Sequence, residues 1–386
     1  MIRRIHGYWK RAKFEYSQWR WRRHFARCKT AFHEWQDRFT QSDAQVLLGM
    51  HLHHFGGVRN HLLAIQKYSS LRVLLVPEES DLRRFGAAPF SENRDAFLET
   101  PPPQSAFAVH THVLPDLVLW AERHAKGRLL WVHTHHLFYY PEAGRQGIET
   151  WQSDLNSAMV RGAKNSDICL CVSRWEQQTL QQEHGIRSHY LPNGVNVSQC
   201  DLAKPQRFRK KFRLHGDFLL WVGRLDPVKN PRAFVELAIR QPDMQCVMIG
   251  GVTRQDVLRH YGLEAPANLR LLPQLSHADV LDAIAACRVL VVTSFREGLP
   301  TLVLEGMALR RPIVVPAEAG CLDATDGDRC AAVYQPGNQE DLQDRVRYVL
   351  REHAANEIGR RRVLAEFDWR VIAGKLDRIY QGAEES

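Results

Sequence analysis

Short apolar runs recur along the chain at 46–50, 71–77, 106–109, 129–132, 167–173, 218–222, 246–249, 269–272, 288–292 and 312–315. They are rich in Val, Leu and Ile, and breakers flank them, which is the pattern of strands buried on both faces. Between them lie longer stretches whose apolar residues stand three and four positions apart. These predict helices over 60–68, 114–124, 151–163, 174–184, from the turn after 222 to 240, 254–261, 276–286, from Pro300 onward, and 370–380. Strand and helix in alternation predict parallel sheets covered by helices on both faces. The polar stretch 78–104, which contains Pro101, Pro102 and Pro103, breaks the pattern and is expected to be irregular.

The first forty residues differ from the rest. Trp21, Phe25, Cys28, Phe32, Trp35 and Phe39 follow one another at spacings of four and three, one face of a helix, and Arg20, Arg23, Arg27, Lys29 and Arg38 surround them. Trp9, Trp19, Trp21 and Trp35 are four of the ten tryptophans. The net charge is +9, and residues 1–40 carry +8 of it, with eleven Lys or Arg against three acids. The body is therefore near neutral and the basicity belongs to one appendage. A basic, aromatic amphipathic helix suits an anionic membrane surface, and docking on the protein's own body or on a second copy is the competing reading. Nucleic acid is the weakest of the three: aromatic and basic residues interleave as in single-strand binders, yet nothing downstream resembles a nucleic-acid module.

At 386 residues the chain can hold two domains. No run of about 18 apolar residues predicts a membrane-spanning helix, and the N-terminus lacks the apolar core of a secretory signal. The eight cysteines form no Cys-x-x-Cys pair and read as reduced thiols of a cytoplasmic protein.

Candidate chemistry concentrates where the run 288–292 ends. Thr293 to Ala308 reads TSFREGLPTLVLEGMA, a loop entering a helix, with Pro300 expected in its first turn. Glu297 stands in the loop at the strand's carboxyl end, where open α/β sheets bind ligands. Glu305 follows eight positions later. The N–H groups of Gly298, Leu299 and Thr301 would point toward an anion at the helix start. Carboxylates beside an anion-binding turn suit a ligand with phosphate at one end and hydroxyls around it, such as a sugar nucleotide.

This E-x7-E segment, with Glu-Gly-Leu-Pro before it and Glu-Gly-Met-Ala after it, resembles the retaining glycosyltransferases of family 4, which have the GT-B fold. The resemblance covers roughly 45–382 and is strongest in the second half. It implies that Glu297 faces the donor sugar and Glu305 bonds the nucleotide ribose. Arg224 and Lys229, in the turn after 218–222, match the family's Gly-Arg…Lys segment and are expected to hold the diphosphate together with Gly298, Leu299, Pro300 and Thr301. Two cations there would stabilise the charge on the departing nucleoside diphosphate without a metal. Gly56 and Gly57 resemble the family's Gly-Gly-Val loop against the donor phosphates. Thr134-His135 resembles its donor-sugar segment, with His133 as second choice. His133, His135 and His136 crowd together, but they lack the partner spacing of a zinc site, so no metal or other cofactor is expected. Asn193-Gly194-Val195-Asn196 and the terminal Phe367-Asp368-Trp369 also match. Glu318-Ala319-Gly320-Cys321-Leu322-Asp323 departs from the Gly-Gly…Glu that often follows this strand.

The resemblance implies two Rossmann-like doubly wound domains facing across a cleft. The expected division is 1–40 helical extension, 41–198 acceptor domain, 199–213 linker, 214–365 nucleotide-sugar domain, and 366–386 a helix returning to the first domain. The implied reaction carries a sugar from a nucleoside-diphosphate-sugar to a hydroxyl of a glycan or lipid acceptor, with retention. The basic helix points to a membrane-held acceptor such as lipopolysaccharide and to a peripheral site on the cytoplasmic membrane face. A GT-B nucleotide-sugar epimerase and a non-catalytic glycan- or membrane-binding protein of the same fold are the alternatives.

Overall fold

Buried parallel strands form two sheets in the structure, a computed structural model that describes residues 23–49, 57–141, 147–352 and 354–383. The first sheet contains β1 (Val46–Gly49), β2 (Val73–Val76), β3 (Ala108–Thr111), β4 (Leu130–His135), β5 (Ile168–Cys171) and β6 (His189–Tyr190), in the order β2-β1-β3-β4-β5-β6. The second contains β7 (Phe218–Val222), β8 (Gln245–Ile249), β9 (Leu269–Leu272), β10 (Val289–Val291), β11 (Ile313–Pro316) and β12 (Ala332–Tyr334), in the order β12-β11-β10-β7-β8-β9. Residues 1–22, with Trp9, Trp19 and Trp21, and Gly56 lie outside the described residues.

The inner strands of the second sheet, β7, β10 and β11, are apolar throughout because both faces are covered. Phe218 and Leu220 join Leu290 and Ile313 in one core, while Leu219 and Trp221 join Val289, Val291 and Val314 in the other. That division is the period-two alternation of a strand. The register sets Leu219 and Leu220 opposite Val289 and Leu290. From β7 the chain builds outward through β8 to β9, then returns to β10 on the other side of β7. The carboxyl ends of β7 and β10 therefore flank the point where strand order reverses, the usual ligand position of such sheets.

Packing divides the described chain into two units. One holds residues up to Thr134 together with Ser157–Cys169 and Tyr380–Ala383, and the other holds His135–Asn156 and Leu170–Ile379. In the first unit a helix runs over 23–40. Its Cys28, Ala31, Phe32, Trp35 and Phe39 are buried. Trp35 lies 4.9 Å from Phe39 between ring centroids, 5.3 Å from Phe90 and 5.7 Å from Phe97. Phe39 packs on Trp120, Gln36 donates to Thr100 Oγ1, and Arg38 pairs with Asp81. This corrects the membrane expectation for the described part of the stripe, because that aromatic face is spent on the protein's own body. Phe25 remains 41% exposed.

The partners of that helix come from the stretch expected to be irregular. It forms three short helices, Glu79–Phe85, Ala88–Glu92 and Arg94–Glu99, which bury Leu82, Phe90, Phe97 and Leu98. These apolar residues are too few to show a helical period within so short a polar stretch. The strand expected to end at 132 also continues through His133, Thr134 and His135.

All eight cysteines are buried and free. No helix among the described residues is long and apolar enough to cross a membrane.

Candidate active site

The turn after β7 is built on Asp226. Its Oδ1 accepts from Val228 N at 3.0 Å, capping the 3-10 turn Pro227–Lys229, and its Oδ2 accepts from Arg224 Nη2 at 3.2 Å. The Arg224 side chain is 81% exposed. The loop after β10 is fastened to this turn. Phe295 N donates to Val228 O at 2.8 Å. Thr293 Oγ1 lies 2.8 Å from Lys229 O and 2.9 Å from Asn230 O, and it accepts from the buried Trp221 Nε1 at 2.9 Å. So fixed, Lys229 places Nζ 2.6 and 2.8 Å from the two carboxylate oxygens of Glu297. Two residues 68 positions apart thus meet in a two-pronged ion pair at the switch point, both of them mostly buried.

Glu318 supports this pair from beneath, and the sequence did not single it out as a site residue. Its carboxylate caps the helix Ala319–Thr325: Oε2 accepts from Cys321 N at 3.1 Å, while Oε1 accepts from Glu297 N at 3.0 Å. Burial raises the Glu318 pKa, and the N–H donors of Glu297, Cys321 and Gly320 oppose that shift. Gly320 is needed because a Cβ there would overlap the carbonyl oxygens of Glu297 and Gly298. Asp323 accepts from Arg174 N. The departure from the Gly-Gly…Glu pattern is therefore a carboxylate that grips the Glu297 loop. Its signal in the sequence was a Glu three residues ahead of a helical N–H, an ordinary cap.

The rest of the motif is held as closely. A Cβ on Gly298 would stand 2.8 Å from His136 O, too near for any other residue without movement. Leu299 is buried, and its carbonyl accepts from Asn193 Nδ2 at 3.2 Å. Pro300 is the N-cap, one residue outside the helix Thr301–Ala308, and its carbonyl accepts from Val303 and Leu304. The N–H groups of Thr301 and Leu302 precede that first helical bond, the position that favours an anion. The helix is buried on nearly all sides from Val303 to Ala308. Glu305 lies within that buried run, and its Oε1 is 2.6 Å from His277 Nε2. The sequence did not mark His277 either, because its partner stands 28 positions away.

The histidines of β4 are buried. His135 Nε2 is 2.9 Å from Glu176 Oε2, and both side chains are 0% exposed. His133 is also buried in its own unit, with Nδ1 2.9 Å from Thr111 Oγ1 and its ring against Gly162. Gly57 opens the helix Gly57–Tyr68 in the first unit. In that unit the His24, Cys28 and Glu92 ligand atoms lie within 4.8 Å of one another, a grouping able to hold a metal ion.

Chemically, the second unit offers a cation locked to a carboxylate beside the free N–H groups of a helix start, with an exposed arginine on the same turn. An anionic group can take Lys229 and the helix N–H groups, which leaves Glu297 to accept from hydroxyls.

Comparison with known proteins gives two family matches in tandem. Residues 104–199 match the profile described as Glycosyltransferase Family 4, and residues 203–363 match Glycosyl transferases group 1. The GDP-mannose-dependent monoacylated alpha-(1-6)-phosphatidylinositol monomannoside mannosyltransferase of Corynebacterium glutamicum is 23% identical over 56% of this chain and 62% of its own. The putative teichuronic acid biosynthesis glycosyltransferase TuaC of Bacillus subtilis is 25% identical over 58% of each chain. The chain thus spans about three fifths of the length of these curated relatives. The structure of Anabaena Alr3699/HepE in complex with UDP-glucose superposes with a TM-score of 0.68 at 15% identity, covering 88% of this chain and all of that one.

Proposed function

The chain belongs to the family 4 glycosyltransferases, retaining enzymes of the GT-B fold, and on that premise we propose that it moves a sugar from a nucleoside-diphosphate-sugar to a hydroxyl of a membrane-associated glycan or lipid of the cell envelope. The observation that carries the donor half of this reading is the Lys229–Glu297 pair, held at the switch point by Glu318. In the proposed complex the donor diphosphate takes Lys229, Arg224 and the N–H groups of Gly298, Leu299 and Thr301. Glu297, released from Lys229, accepts from hydroxyls of the sugar, and Glu305 accepts from the ribose. As the bond from the anomeric carbon to the diphosphate breaks, the acceptor oxygen adds on the same face and its proton passes to the leaving phosphate. Lys229 and Arg224 meet the charge that collects on that phosphate, which lowers the barrier. His135 acts here as a support behind the loop, since its Nε2 is held by the buried Glu176.

The acceptor half rests on relatives that include a phosphatidylinositol mannoside enzyme and a teichuronic acid enzyme, and on the basic N-terminal region. With the aromatic face buried, the contact proposed with the cytoplasmic face of an anionic membrane is made by charge, through exposed side chains such as Arg23, Arg27 and Lys29, each contributing about 1 kcal/mol. Salt-sensitive sedimentation with anionic vesicles, lost on reversing these charges, is the expected result. Equal sedimentation by the reversed variant would refute the membrane part alone. For the whole reading, donor turnover is the test: consumption of a nucleotide sugar by the wild type, lost in Glu297→Gln, supports it, and equal consumption by both removes Glu297 from the mechanism.

A further inference from the structure

The helix His277–Ala286 begins at a capped turn in which Ser276 Oγ accepts from Asp279 N. The first residue of that helix reaches back to Glu305. Its Nε2 lies 2.6 Å from Glu305 Oε1, and its Nδ1 lies 3.5 Å from Gln199 Nε2. An amide nitrogen has hydrogens to give and no lone pair to receive, so Gln199 makes Nδ1 the acceptor and leaves the proton on Nε2. The direction continues one residue further, because Asn196 Nδ2 donates to Gln199 Oε1 at 3.4 Å and Asn196 Oδ1 accepts from Gln199 N at 3.0 Å. The three side-chain bonds, from Asn196 Nδ2 to Gln199, from Gln199 Nε2 to His277 and from His277 Nε2 to Glu305, donate toward the carboxylate, while Gln199 N donates back to Asn196. The bond to Glu305 raises the pKa of His277 against the opposing effect of its burial. The Glu305 side chain is 12% exposed and that of His277 is 46% exposed, so one oxygen of a nearly enclosed carboxylate is held by a ring that solvent can reach. Cys200 is another titratable group beside Glu305, and burial raises its thiol first, with the Glu305 charge second.

We propose that His277 is a positioning residue for nucleoside recognition: it pins Oε1 of Glu305 and so aims Oε2 at the ribose hydroxyls, which makes preference for a ribonucleotide depend on a side chain outside the E-x7-E motif. This rests on the reading of Glu305 as the ribose acceptor. A carboxylate free to rotate must be ordered when the ligand binds, whereas one already pinned is not charged that entropy at binding.

The test uses the full chain and whichever of UDP, GDP and ADP it binds, together with the 2′,3′-dideoxy form of the same nucleotide. Calorimetric titration compares the wild type with Glu305→Ala, His277→Ala and His277→Gln. The wild type is expected to prefer the ribonucleotide by about tenfold or more, the size of a hydrogen bond to a charged group. Glu305→Ala is expected to erase that preference. His277→Ala is expected to lose about tenfold in ribonucleotide affinity while its dideoxynucleotide affinity stays unchanged, which also shows that the variant is folded. His277→Gln, which can still donate, is expected to recover part of the loss. Glu305→Ala with an intact ribose preference, or no binding of any of the three nucleotides, overturns the ribose reading and this proposal with it. Glu305→Ala without preference, alongside His277→Ala with full preference or with equal losses for both nucleotides, overturns the role of His277 alone.

Discussion

Two strand ends carry the residues expected to do chemistry, and they use them in opposite ways. At the end of β10, Glu297 meets Lys229 with 14% and 27% of their side chains exposed, beside a helix start with free N–H groups. At the end of β4, His135 meets Glu176 with neither side chain exposed at all. Both pairs join a carboxylate to a nitrogen donor at similar distances, 2.6 and 2.9 Å. Enclosure separates them. A pair that a ligand can reach can exchange its partner for that ligand, while a sealed pair can only hold the fold together. Position at a strand's carboxyl end is therefore not sufficient for a ligand site.

The largest effect that could break this contrast lies at the sealed pair. His135→Ala leaves a buried carboxyl group without its partner and should cost about 3 kcal/mol of stability, read from denaturant unfolding, with turnover falling only as far as folded protein is lost. A well-folded His135→Ala with turnover reduced a hundredfold would put that ring back among the groups that touch the donor. At the open pair the signs should reverse. Glu297→Gln should unfold close to the wild type while turnover drops on the order of a hundredfold, as for other groups aimed at a transition state. Lys229→Ala should weaken nucleoside-diphosphate binding by about tenfold or more, the worth of a charge-assisted bond.

A smaller effect sharpens the picture of the support beneath. Burial raises the pKa of Glu318, so the folded state holds this proton more tightly than the unfolded chain does. As pH falls through the raised value toward the ordinary carboxylate range, protonating Glu318 favours the fold. It also weakens the acceptor for Glu297 N–H. Turnover should consequently decline on the acid side before stability does, and Glu318→Gln should flatten that decline in a pH–rate profile. A decline unchanged in Glu318→Gln would assign the acid limb to another group.

Much of the fold was legible because buried parallel strands announce themselves. The run at 269–272 is strand β9 at the expected bounds, the strand expected to start at Phe218 is β7, and the helices Arg174–His184 and Arg254–Tyr261 also match. The strand with His133 and His135 was cut short because a backbone ladder is indifferent to side-chain polarity. Each ring found a polar partner far along the chain, Thr111 for His133 and Glu176 for His135. The stripe of Phe32, Trp35 and Phe39 was legible as a buried face, but periodicity does not say what buries it. The answer lay in Phe90 and Phe97, on short helices without a pattern of their own. Glu297, Glu305, Arg224 and Lys229 stood out through their family spacing. Glu318 and His277 did not, since their roles exist only through contacts 21 and 28 residues away.

If the Glu297–Lys229 pair is an exchangeable lock on a diphosphate site, its two members must answer differently to removal, and the decisive measurement is nucleoside-diphosphate titration of Glu297→Ala beside Lys229→Ala. Removing Glu297 frees Lys229 and removes a negative charge from the site, so Glu297→Ala should bind the nucleotide at least as tightly as the wild type while Lys229→Ala should bind it about tenfold more weakly or worse. Equal weakening in both variants would refute the lock, because the pair would then be a structural tie and not a ligand's partner in waiting.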